Sequence, residues 1–172
     1  MDIVEVATGH TRKVQIFIGV MGASNYTFVD AHWSQQLPEW IAAHVRMFEF
    51  FGAVPRVLVC DNLKSGVTKV SRTDPVVNAT YQHMAEHYGA VVIPARSRHP
   101  KDKAKVEGGV NVVTRWILFR LRKQVFHSLG ELRQAMGRLL AELNERRFQK
   151  LPGNRRTAYD SLDLPAMRPL PQ

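Results

Sequence analysis

Two carboxylates stand out by type and by surroundings. The apolar run Val57-Leu58-Val59-Cys60 delivers Asp61 and Asn62 to its carboxyl end, and the chain then turns at Lys64-Ser65-Gly66. Glu107 lies 46 positions further on, in the first turns of a helix, after Arg96, Arg98, Lys101, Lys103 and Lys105. Hard cations such as Mg²⁺ take oxygen ligands and keep much of their water, so a few carboxylates from converging elements can hold them. Two such ions a few ångströms apart activate the attacking oxygen and stabilise the leaving oxygen of a phosphodiester. The cations before Glu107 would draw a phosphate backbone to that place. Each carboxylate also has a plainer reading. An aspartate after a buried strand commonly caps its own turn. Lys103 and Glu107, at i and i+4, form an ordinary helical ion pair worth roughly 0.3–0.5 kcal/mol.

The elements that must position these groups follow from periodicity. Residues 3–6 and 14–21 read as a hairpin around Thr8-Gly9, with Val14, Ile16, Ile18 and Val20 on one buried face. Gly22-Ala23-Ser24-Asn25 turns the chain into a third strand over residues 26–31, completing a meander. Pro38 suits the first turn of a helix that Gly52 and Pro55 end. His44 within it reads as a packed helix residue rather than a ligand. Residues 56–60 form a nearly continuous apolar strand, as expected of one covered on both faces. Residues 78–88 form a helix with Tyr81, Met84, Ala85 and Tyr88 in one stripe, and residues 90–93 form the last strand.

A long helix is predicted over residues 101–123, buried along Val106, Val110, Val113, Ile117 and Leu121. Gly108-Gly109 inside it permits close approach by another helix or a nucleic-acid backbone, or marks a bend. Ser128 and Glu131 fit a capping box that opens a further helix with Leu132, Met136, Leu139, Leu140 and Leu143 on its apolar face. From Leu151 the chain is rich in Pro and Arg and reads as extended or disordered. The order β-β-β-α-β-α-β followed by helices predicts an α/β fold: three antiparallel strands and two more in a mixed sheet, with helices packed on it. A division into a core over 1–127 and a basic C-terminal helix and tail over 128–172 is expected.

Composition narrows the partners. At 172 residues the chain suits one domain, and no window approaches a membrane span. Met1-Asp2-Ile3-Val4-Glu5 lacks a signal-peptide pattern, Cys60 is the single cysteine, and the seven histidines have no ligand spacing, so a cytoplasmic protein is expected. Residues 1–92 carry 7 Lys and Arg against 8 Asp and Glu, whereas residues 93–172 carry 17 against 7. A nearly neutral half joined to a strongly basic one points to a polyanion, above all nucleic acid. The plainer reading is a solvated basic face.

Several stretches together carry a resemblance. Gly22-Ala23-Ser24-Asn25-Tyr26-Thr27, Trp33-Ser34-Gln35, Phe48-Glu49-Phe50-Phe51-Gly52 and Asp61-Asn62-Leu63-Lys64-Ser65-Gly66-Val67 resemble the integrase core of IstA-type insertion-sequence transposases. So do Asp102-Lys103-Ala104-Lys105-Val106-Glu107, Arg115-Trp116-Ile117-Leu118 and Lys150-Leu151-Pro152-Gly153. The likeness runs in order over residues 4–170. It implies the DDE superfamily, shared with retroviral integrases, and a ribonuclease H-like fold. Asp61 and Glu107 would be the second and third acidic residues of a catalytic triad that holds two Mg²⁺ or Mn²⁺ ions. Asn62, Lys64, Lys103 and Lys105, with Arg96, Arg98 and Lys101, would lie against transposon-end DNA. The implied reaction is metal-dependent attack of a DNA 3′-hydroxyl on target DNA, by multimers assembled on DNA and served by a separate ATPase helper.

The sequence departs from that pattern at the first acidic residue, which the family carries on its first strand in a Val-Asp-Tyr-Ala-Gly-like run. By direct alignment Glu5 and Thr8-Gly9 fall at the hairpin turn, which places that residue ahead of Met1; Asp2 is the candidate within the chain. The expectation is a transposase core fragment. Two rivals stand beside it: a catalytically incomplete DNA-binding or assembly module, and a nuclease on the same fold that cleaves without joining.

Overall fold

The computed structural model describes residues 1–6, 8–60, 67–69, 76–94 and 100–171. A short hairpin pairs β1 (Asp2–Val4) with β2 (Thr11–Lys13), closed by Gly9 at φ +69°. The chain passes through Val14 into β3 (Gln15–Val20), which pairs antiparallel with β4 (Thr27–His32) in the register Gln15 to His32. Helix α1 (Leu37–Phe51) starts with proline in its first turn and ends on the left-handed Gly52. It is followed by β5 (Val57–Cys60) and the small pair β6 (Val67–Lys69) and β7 (Val76–Val77). Next come α2 (Ala79–His87), capped by the Asn78 side chain, and β8 (Val91–Pro94), parallel to β5. The helical half comprises α3 (Pro100–Val113), a π-helical turn at Thr114–Leu118, α4 (Phe119–Leu121), α5 (Leu129–Glu145) and α6 (Arg155–Ala158).

The predicted elements appear in order, but β2 is separate from β3, the pair β6–β7 is added between β5 and α2, and hydrogen bonding among the described residues divides the sheet into two-stranded pairs. The first strand pairs with residues 11–13 rather than running along 14–21, so no continuous meander forms. A second difference concerns β5. Leu58 and Cys60 are buried, while Val57 and Val59 are 47% and 45% exposed, so one face of that strand is covered rather than two.

Two packed cores join these pieces. One lies under the inner face of α5 and joins Val14, Val29 and Ala31 to Val113, Ile117, Leu132, Met136 and Leu140. The other lies under α1, where Met47, Phe48 and Phe51 meet Phe17, Phe28, Leu58 and Tyr159. The predicted stripe of the long helix holds from Val113 through Ile117 to Leu121, all buried; Val110 is 41% exposed. Ser128 Oγ accepts the Glu131 N–H, and Glu131 reaches back to the N–H of His127, one residue beyond the usual box partner.

The Pro- and Arg-rich segment is ordered onto the core, against its compositional reading. Asp163 accepts the Ala23 and Ser24 N–H groups at 3.2 and 2.9 Å, so it clamps the β3–β4 turn. The Tyr159 hydroxyl donates to Phe51 O, and Arg168 exchanges two backbone bonds with Val54. Seven scattered prolines and arginines hide these anchors from a composition count.

Candidate active site

Glu107 is exposed in the second turn of α3. Gly109 sets how closely that helix sits on the sheet. A Cβ built there would meet Cγ2 of Val20 at 2.3 Å, so the helix backbone lies directly on the end of β3. Within the chain Gly109 admits the end of a strand, while Gly108 has nothing within 4 Å of an added Cβ and is open to solvent.

A groove of about 300 Å³ opens beside this contact. Residues 16–22 line one side and Pro55 with residues 57–60 the other; Trp40, His44, Met47 and Tyr81 lie on one face and Val110 on the opposite one. Cys60, the residue before Asp61, and Val110, one turn after Glu107, thus border the same groove. Asp61, Asn62, Lys64, Arg96 and Arg98 lie outside the described residues. Lys101, Lys103 and Lys105 belong to the α3 backbone, and their side chains are outside the description as well.

Asp2 does not join Glu107. It is exposed on β1 opposite Lys13, seven residues along the strand from Val20, or about 24 Å at the usual rise. Carboxylates that share a pair of ions must stand within a few ångströms of them. Among the described residues no group of three or more His, Cys, Asp or Glu gathers.

Sequence reasoning missed one charged cluster. Asp30, 4% exposed in the middle of β4, receives Arg46 Nε at 2.6 Å on Oδ2 and Arg133 Nε at 2.8 Å on Oδ1. Arg133 also donates to Ala31 O, and Arg46 lies 3.2 Å from His32 Nδ1. Burial lowers the His32 pKa, partly opposed by Asp30. With two arginines and the Ala31 N–H on its oxygens, Asp30 ties β4 to α1 and α5 and is not available as an open metal ligand. A charge inside an otherwise buried strand was the signal, because such a group needs partners.

His44 is packed, as its helical position implied. One ring nitrogen lies 2.9 Å from Trp40 O and the other 3.0 Å from the Tyr81 hydroxyl. Nδ1 donates to the carbonyl, so Nε2 accepts from Tyr81. Burial pushes its pKa down to about 4, and burial pushes that of Tyr81 up.

Comparison with known proteins gives a consistent answer. The integrase core domain family matches residues 1–100. A putative transposase of Sinorhizobium fredii (y4bL/y4kJ/y4tB) is 47% identical over 99% of this chain, which covers 33% of that protein. A putative transposase for insertion sequence IS408 of Burkholderia multivorans is 46% identical over 92% of the chain, covering 31% of that protein. The chain thus spans about a third of the length of these relatives. The HTLV-2 integrase catalytic core domain in complex with magnesium superposes with a TM-score of 0.61 at 14% identity, over 88% of this chain and 86% of that one. That likeness shows the fold, a ribonuclease H-like α/β architecture. The chain belongs to the integrase core domain family.

Proposed function

We propose that this chain is the catalytic core of an IstA-type DNA transposase, which joins transposon ends to target DNA. Asp61 and Glu107 act as two of its metal-holding carboxylates. The observation that carries this reading is the shared groove: the neighbours of both carboxylates in sequence, Cys60 and Val110, border it together, on a scaffold of the integrase core family. The exposed Glu107 suits a ligand of an open site, and two hard carboxylates suit Mg²⁺ or Mn²⁺. When bound, two such ions supply the activated 3′-hydroxyl and neutralise the leaving oxygen.

The chain's own residues do the rest. Asp61 and Glu107 would hold the ions and so keep them beside the DNA phosphate. Lys101, Lys103 and Lys105 along α3, with Arg96, Arg98, Lys64 and Asn62, grip the DNA backbone by charge and hydrogen bonds. Assembly as multimers on DNA and service by an ATPase helper belong to the same reading.

In a full-length transposase carrying this core, Asp61→Asn and Glu107→Gln should each reduce strand transfer by at least about 10³-fold and leave DNA binding nearly intact. Joined product from either variant at near wild-type rate sinks the assignment.

A second reading is favoured by the separation of Asp2 from Glu107 and the lack of a third acidic group among the described residues. By itself the chain is then an assembly and DNA-binding module without working chemistry. A joining assay with pre-cut ends separates the readings: joined product supports the enzyme, binding alone supports the module, and hydrolysis without joining supports a nuclease.

A further inference from the structure

Residues 146–155 join α5 to α6 in a tight turn. Arg147 bridges Asn154, the Phe148 N–H donates to Gly153 O, and Gly153 is left-handed at φ +79°. Arg146, Arg147, Lys150 and Arg155 line a hollow of about 340 Å³ between this turn and Trp116. Trp116 follows Glu107 by nine residues, whereas Lys101, Lys103 and Lys105 precede it.

The charge in this hollow is unbalanced. Among the described residues no carboxylate pairs with any of the four cations, while Arg46, Arg120, Arg133 and Arg156 each have one. Arg155 gives Nη1 to Leu143 O near the end of α5, and its buried Nε has no hydrogen-bond partner among the described residues. Burial and the nearby Arg146 charge both push the Arg155 pKa down. Arg146 lies 3.8 Å from the centre of the Trp116 ring. A guanidinium stacked on an aromatic face keeps its in-plane N–H groups for a planar or tetrahedral oxyanion.

The hollow continues along α3. Arg155 also lines a second hollow, of about 220 Å³, with Asn25, Ala104, Gly108 and Val112. Ala104, Gly108, Val112 and Trp116 recur every four residues, so they form one row along α3 and the π-helical turn. The two hollows meet at Arg155 and follow that row, which is about 18 Å long at helical rise. It passes Glu107 at Gly108, where the exposed backbone has nothing within 4 Å of an added Cβ. Beyond Trp116 the next hollow carries Glu142, held by Arg120 at 2.7 Å, and Glu145, so the cationic wall ends there.

We infer that this trough seats one strand of a DNA backbone, with Arg146, Arg147, Lys150 and Arg155 as its phosphate-holding groups. The inference rests on the DNA reading above for its ligand and adds residues 146–155 as a contact surface. One strand carries a charge every 3.4 Å or so, so the row spans about five phosphates, close to the four cations facing it. Gly108 lets the strand lie against the helix beside Glu107. An acidic segment of a partner protein is the rival occupant. Extended peptides dock by backbone bonds to a free edge, and the backbone bonds of this turn close within it.

The test measures binding and needs no strand transfer. A fluorescent 16-base-pair duplex is titrated with the whole chain over a series of salt concentrations. Arg146→Gln, Arg147→Gln and Lys150→Gln combined should weaken binding at least about tenfold and lower the salt slope by about 2–3. Arg12→Gln, Lys13→Gln and Arg138→Gln combined remove equal charge elsewhere and should change affinity by less than about threefold. All six side chains are exposed, so neither set threatens the fold. In parallel, the Trp116 indole N–H signal, identified by its loss in Trp116→Phe, should shift when duplex is added. Equal weakening by the two sets overturns the proposal by assigning the effect to net charge. A Trp116 signal that moves with oligoglutamate and not with duplex also overturns it, and gives the trough to an acidic peptide. If Lys103→Gln with Lys105→Gln weakens binding and the first set does not, the DNA reading stands and this contact falls. An unaltered chain that binds no duplex sinks both.

Discussion

Replacing Gly109 by alanine puts a methyl group where α3 lies on the sheet. The new Cβ would stand 2.3 Å from Val20 Cγ2 and 3.4 Å from Val20 Cβ, against a comfortable carbon separation of about 3.5–4.0 Å. Val20 is β-branched and stiff about χ1, so it cannot simply swing aside. Overpacking of this kind costs about 1–3 kcal/mol. Alanine in a helix interior gains about 1 kcal/mol over glycine. The balance runs from near neutral to about 2 kcal/mol of lost stability. Gly108→Ala supplies the internal control, since nothing lies within 4 Å of its added Cβ; it should gain up to about 1 kcal/mol. The difference between the two variants cancels the propensity effect and isolates the contact. Urea unfolding followed by circular dichroism measures it, with midpoints compared at constant slope. If Gly109→Ala is as stabilising as Gly108→Ala, α3 does not press on Val20, and the placement of Glu107 at that end of the sheet fails with it.

Three further outcomes are expected. Burial holds the folded pKa of His44 at about 4 against the ordinary 6.5, so its neutral form is fully supported above about pH 6.5 and stability falls as pH drops toward 4; between pH 7 and 5 the loss is about 2 kcal/mol. Urea midpoints at the two pH values, compared with those of His44→Phe, check this, and an equal drop in both proteins rejects it. Asp30→Ala strands two arginines that are partly exposed, so the loss is about 2 kcal/mol rather than the larger value for a fully buried pair; thermal unfolding of the single variant should show it, and an unchanged midpoint means the cluster is only decorative. Neutralising Lys103 and Lys105 as glutamine in the full transposase should weaken DNA binding and reduce the salt slope by about 1 per lost phosphate contact; an unaltered slope would make both merely solvating.

What the sequence made legible was periodic or local. The cap at Ser128, the helix stop at Gly52 and the stripe through Val113, Ile117 and Leu121 all depend on neighbours within a turn or two. The candidate site was legible only as two acidic positions with cations near one of them. The relation between those positions depends on a contact between Gly109 and Val20, 89 residues apart in sequence, and no local pattern encodes such a contact. The same holds for Asp30, whose partners Arg46 and Arg133 come from two different helices. Composition misled once: prolines and arginines suggested a loose tail, yet single anchors such as Asp163 and Tyr159 dock it.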